Sequence, residues 1–174
     1  ITFLNSLETA PEDAWDLSQA GDASVLGWIN WTSGYYCNLY IAANGSVIAP
    51  QNCSKLFANY SSLETINFNS CFDTSRVTDM SYMFYSCSSL TGLDLSSFKT
   101  SRVTDMNHMF SLCVNLTNLN VGSFDTSKVT NMRGMFYTCS NLPDLDLSSF
   151  DTSNVKNMSL MFNNCRSLST LNCG

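Results

Sequence analysis

The sequence predicts an α/β repeat solenoid, a right-handed β/α winding of 26-residue coils preceded by an N-terminal β cap, and three observations lead there. Sliding the chain against itself by 26 residues sets Phe84, Phe110, Phe136 and Phe162 in one column, Cys87, Cys113, Cys139 and Cys165 in a second, and Leu90, Leu116, Leu142 and Leu168 in a third. Inside each unit, pairs such as Leu93 and Leu95 alternate with polar residues, the period of a strand with one buried face. The remaining apolar positions follow a Met-x-x-Met-Phe-x-x-Cys pattern, which predicts a helix of one to two turns returning the chain to the sheet.

Residues 1–49 form the expected cap, which a solenoid needs over its first open coil. They carry all three tryptophans, Trp15, Trp28 and Trp31, whose rings are expected to pack onto the first repeat. Short strands are predicted in ITFL at the start, SVLGWI at 24–29, NLYI at 38–41 and SVI at 46–48, with Asn44-Gly45 as a hairpin turn between the last two.

Residues 50–174 form the expected solenoid, a single continuous domain whose first half coil is APQNCSKLF. Strands recur at Ile66 and Phe68, Leu93 and Leu95, Leu119 and Val121, and Leu145 and Leu147, and they are expected to stack in parallel as one sheet. After Val103-Thr104-Asp105-Met106 and its counterparts stand Ser54, Ser81, Asn107, Arg133 and Ser159, mostly good helix N-caps. The eight methionines occupy just two columns, at 80, 106, 132 and 158 and at 83, 109, 135 and 161, so they read as core filling. The Thr74, Thr100, Thr126 and Thr152 column, beside Ser75, Ser101, Ser127 and Ser153, reads as side chains that tie down turn backbone rather than as a hydroxyl surface.

Charge and composition narrow the function. With 44% hydrophobic and 13% charged residues the chain is an ordinary packed protein. Its formal charge is −6, and residues 1–54 hold Glu8, Glu12, Asp13, Asp16 and Asp22 without a Lys or Arg, which argues against a nucleic-acid partner. No apolar run approaches the roughly 18 residues of a spanning helix, so membrane insertion of this region is not expected. The chain opens at Ile1 and stops at Gly174 inside a repeat, so it is expected to be a mature or cut fragment whose open C-terminal coil is available for end-to-end contact.

Four of the eight cysteines recur at the repeat period and not as CxxC pairs, so they read as reduced interior residues. Cys37, Cys53, Cys71 and Cys173 lie outside that column; Cys37 with Cys53 is the disulfide to test first, and cysteine usage leaves the redox compartment open. His108, the single histidine, has no positional partner and is a poor general base. No nucleophile elbow, acid pair or phosphate loop occurs, so neither catalysis nor a metal or cofactor is expected.

The units FDTSRVTDMSYMFYSCSSLTGLDLSSF and FDTSKVTNMRGMFYTCSNLPDLDLSSF, with the run LxxLxLxxF, resemble the leucine-rich repeat, and more closely the 26-residue bacterial surface repeat of BspA-like proteins. The resemblance covers residues 50–174 and reaches into the cap through AWDLSQAGDASVLGWI. It implies a secreted or bacterial cell-surface protein with a role in adhesion or recognition and no catalytic residues. On that reading the concave sheet presents Asn67, Asp94, Asn120 and Asp146, with Asn172 continuing the column, to a glycan or host protein. Purely architectural spacing of another module from the surface is the rival expectation.

Overall fold

The computed structural model describes residues 1–18, 21–32 and 37–173, which fall into two compact units. The first comprises Ile1–Ile48 together with Ile66–Asp73, and the second Ala49–Thr65 with Thr74–Gly174.

In the first unit, β1 (Thr2–Leu4), β2 (Trp15–Asp16), β3 (Val25–Trp31) and β4 (Cys37–Ala43) form one sheet in the order β1-β4-β3-β2. β1 runs parallel to β4; β3 is antiparallel to both β4 and β2. The expected hairpin at Asn44-Gly45 does not form. β5 (Val47–Ile48) pairs in parallel with β6 (Phe72–Asp73) instead, because Asn44 and Gly45 are tied elsewhere. The Asn44 side-chain oxygen accepts from Leu7 N–H, and Gly45, at φ +99°, donates to Asn5 O. The core holds Phe3, Phe68 and Phe72 as a mutually packed cluster, with ring centroids 4.9 to 5.5 Å apart. Of the three tryptophans only Trp28 is buried, stacked on Tyr40 at 5.4 Å; Trp15 and Trp31 face solvent, contrary to the expectation that the rings pack onto the first repeat.

The second unit is wound from coils, and among the described residues it contains no helix, so the α/β solenoid expected from the sequence is corrected to an all-β and turn architecture resembling a β-solenoid. The backbone hydrogen bonds give the reason. Tyr82, Phe84 and Ser86 donate to Asn107, Met109 and Ser111 in the next coil, while Met83, Tyr85 and Cys87 donate to the residue three before them. The following coil repeats this: His108, Phe110 and Leu112 donate to Arg133, Met135 and Tyr137. A helix would satisfy these donors internally and leave the stack without a ladder on that side; a run of tight turns sends alternate N–H groups across to the neighbour. The turns demand left-handed backbone at two positions per coil, seen at Lys55 and Asn59, Tyr82 and Ser86, His108 and Leu112, Gly134 and Thr138, and Leu160 and Asn164. Each non-glycine there costs roughly 1 kcal/mol, offset by the inter-coil bonds.

The expected helix N-caps have the opposite role. Ser54, Ser81, Asn107, Arg133 and Ser159 each donate a backbone N–H to the Asp or Asn two places earlier, at 52, 79, 105, 131 and 157. Those acceptors open the turn run and also bridge in parallel from coil to coil. The expected continuous sheet is interrupted too. β7 (Gly92–Asp94) pairs with β8 (Asn118–Asn120), and β9 (Asp144–Asp146) with β10 (Thr170–Asn172), as separate two-stranded ladders. Thr117 N–H donates to Thr91 O and Ser169 N–H to Pro143 O, but Pro143, in the same column, has no N–H for Thr117.

Packing within the stack follows the columns. Phe57, Phe84, Phe110, Phe136 and Phe162 stack ring over ring at 5.4 to 5.8 Å, within 14° of parallel. Met80, Met83, Phe84 and Cys87 are fully buried, as are their equivalents one and two coils on.

Candidate functional site

On β7 to β9 the middle residues Leu93, Leu119 and Leu145 are buried, so the residues on either side face out, whereas Leu171 in the middle of β10 is itself exposed. Two outward columns result: Gly92, Asn118, Asp144 and Thr170 in one, and Asp94, Asn120, Asp146 and Asn172 in the other. Within the second column the Asn120 side-chain amide donates to Asp94 Oδ1 at 3.2 Å. Alternating carboxylates with amides keeps like charges from facing one another directly.

These side chains also finish their own strands. Asp94 Oδ1 accepts the Ser96 N–H at 3.0 Å, Asn120 Oδ1 the Gly122 N–H at 3.2 Å, and Asp146 Oδ1 the Ser148 N–H at 2.9 Å. The backbone N–H of Ser96 holds the Asp94 carboxyl below the usual carboxylate range, and hydrogen bonding from Ser148 does the same for Asp146. Both remain anionic at neutral pH.

Asn67 has its own backbone partners. It belongs to the first unit, where its N–H donates to Ile1 O, its carbonyl accepts from Phe3 N–H, and it bridges Thr2 in parallel. Its hydropathy context, Ile66 and Phe68 on either side, matches the strand pattern and carries no signal of this different partner. Asp144, conversely, is an outward carboxylate on the face that the Leu-x-Leu pattern did not single out. The signal was the tripeptide Asp144-Leu145-Asp146, which puts a carboxylate on each side of one buried leucine.

The cysteine column is interior and chemically quiet. Cys87, Cys113, Cys139 and Cys165 each donate a weak S–H bond, at 3.0 to 3.1 Å, to the carbonyl of Phe57, Phe84, Phe110 or Phe136 in the preceding coil. The Phe84 carbonyl therefore accepts both the Cys87 N–H and the Cys113 thiol. Burial pushes the Cys87 thiol up to about 11 and those of Cys113 and Cys139 higher still, so none is a thiolate nucleophile at neutral pH. Cys37 and Cys53, the pair marked for a disulfide test, are free thiols, as are Cys71 and Cys173. Among the described residues no group of His, Cys, Asp or Glu is arranged to hold a metal ion.

His108 sits in the left-handed turn column, stacked on Tyr82 at 5.0 Å and edge-on to Tyr137 at 6.4 Å. Its Nδ1 is buried without a hydrogen-bond partner, and burial lowers its basicity. The ring fits because the next coil has Gly134 beneath it; a Cβ there would lie 2.6 Å from Nδ1.

Among the described residues no helix is long and apolar enough to cross a membrane. Comparison with curated proteins and with solved structures finds no match for this chain. A family model does match, over residues 51–172, well over half of the chain and nearly all of the repeat array. By its repeats, the chain belongs to the family described as Mycoplasma protein of unknown function, DUF285.

Proposed function

We propose that this chain is a non-enzymatic binding module, secreted or displayed at a bacterial cell surface in the manner of BspA-like surface proteins, that offers its polar strand face to a glycan or a host protein. The observation carrying this reading is the double outward column on β7 to β10, in which Asp94, Asn118, Asn120, Asp144, Asp146, Thr170 and Asn172 are all exposed, on either side of a leucine row that is buried at Leu93, Leu119 and Leu145. Such a face gives evenly spaced hydrogen-bond acceptors and donors with few bulky neighbours, which suits an extended polar ligand better than a tight protein hot spot built on Trp, Tyr or Arg.

The test is a glycan array and a panel of immobilised extracellular proteins, read with the Asp94→Asn/Asp146→Asn double variant. Asn keeps the oxygen that caps Ser96 and Ser148 and removes only the charge. Binding lost in that variant and kept in Thr152→Ala, an exposed threonine outside the face, supports the proposal. Binding that survives the double variant refutes it. A spacer role has its own support: the Oδ1 atoms of Asp94, Asn120 and Asp146 all serve their own backbone, as side chains kept for coil shape would. Absence of any ligand on the array favours it.

A further inference from the structure

The first unit carries a second surface of different chemistry. Directly opposed residues in a sheet share a face, so the pairings Phe3 with Ile41, Ile41 with Gly27, Gly27 with Trp15, Ile29 with Leu39 and Trp31 with Cys37 define one face that is apolar throughout. Phe68 and Phe72 cover its β1 end, where Phe3 is 2% exposed. Its β2 end is open: Trp15 is 52%, Leu17 48% and Trp31 71% exposed. Leu17 lies across Gly27, with its Cδ1 2.6 Å from where a Cβ would stand, and so fills the notch between the two tryptophans' strands. Large uncovered apolar patches of this kind mark interaction sites.

Charge says what fits there. The first unit contains Glu8, Glu12, Asp13, Asp16, Asp22 and Asp73 and no Lys or Arg, whereas the second unit balances eight acids with eight bases; the whole excess of −6 therefore sits on the unit with the exposed tryptophans. Five of these carboxylates lie between residues 8 and 22, the stretch that contains Trp15 and Leu17. Asp16, opposed to Leu26, projects from the other face of β2 and adds to the charge of the unit rather than to this face; hydrogen bonds from Ser18 and Ser24 hold Asp16 and Asp22 in the charged form. Such a surface repels polyanions and a second copy of itself, and attracts a chain that has both apolar side chains and Lys or Arg to set over the indole faces.

We propose that the Trp15, Leu17 and Trp31 face is a docking site for a cationic, apolar polypeptide segment, independent of the polar strand face of the repeats. The probe is a ten-residue peptide alternating Leu and Lys, compared with its Leu and Glu counterpart and with a neutral hexasaccharide of N-acetylglucosamine, titrated into the whole chain. The expected result is saturable binding of the cationic peptide alone, with tryptophan emission shifting blue, amide shifts confined to β2 and β3, and affinity falling as salt rises. Trp31→Ala and Glu12→Lys/Asp13→Lys should each weaken it about tenfold, while Asp94→Asn/Asp146→Asn leaves it unchanged, which separates failure here from failure at the repeats. Trp31→Tyr, which keeps an aromatic face, should retain most of the affinity, and an unaltered melting profile shows that the variants fold. Equal binding of the acidic peptide, a response to the hexasaccharide in place of the peptide, or no saturation below about 1 mM overturns the proposal.

Discussion

Thr100→Val tests the logic of the stack at one atom. Thr100 is 1% exposed, and its Oγ1 donates to Asp125 O at 2.9 Å while accepting the Asp125 N–H at 2.8 Å. One hydroxyl thus satisfies both backbone groups of a residue in the next coil, and Thr74 does the same for Lys99. Valine keeps the shape and leaves both groups of Asp125 unpaired. At about 1 kcal/mol per net hydrogen bond, with part of the desolvation penalty added, the loss should be about 2 to 3 kcal/mol, less under about 1 kcal/mol for the extra buried methyl. The control is built into the column: Thr152 is exposed, so Thr152→Val should change stability by less than about 0.5 kcal/mol. Urea denaturation followed by far-UV circular dichroism measures both, and hydrogen exchange at the Asp125 amide reports the local site. Equal stability of the two variants would refute the claim that the threonine column binds coil to coil.

Three further outcomes follow from the same geometry. Phe110→Ala removes a fully buried ring stacked at 5.8 Å on Phe84 and 5.6 Å on Phe136, and should cost about 3 to 5 kcal/mol, read as a lower urea midpoint. His108 is less basic folded than unfolded, so its contribution to stability is complete above about pH 6.5 and is lost as pH falls through the folded value. Melting temperature between pH 7 and 5 should therefore slope less in His108→Asn, a residue that tolerates the φ of +52° there, than in the parent. Under native conditions an aromatic disulfide reagent should modify the exposed Cys37 and Cys173 rapidly and the buried Cys87, Cys113 and Cys139 only on unfolding; fast modification of all eight would contradict the interior placement of that column.

The helical periodicity of each coil is real although no helix forms among the described residues. Met80, Met83, Phe84 and Cys87 are spaced i, i+3, i+4 and i+7, the spacing of a helical apolar face, and all four are indeed buried. Consecutive turns with a left-handed residue every fourth position bring the same four side chains to one side, and periodicity cannot separate the two solutions. The missing signal was weak: Tyr82, His108 and Leu160 are not residues that announce positive φ, and only Gly134 in that column does. Pro143 was more legible, since a strand column that lacks one N–H must lose a rung.

From the sequence alone came the 26-residue period, the identity of each column and the inward placement of the Phe, Met and Leu columns in every coil but the last, where Met158 and Leu171 are exposed, because one repeated apolar pattern has a single way of sharing an interior. Tertiary structure decided where each backbone N–H goes, and with it turns over helices, the transfer of Asn67 to the first unit and the exposure of Trp15 and Trp31. Those outcomes depend on which neighbour lies across a strand or coil, and a linear string of residues does not carry that information.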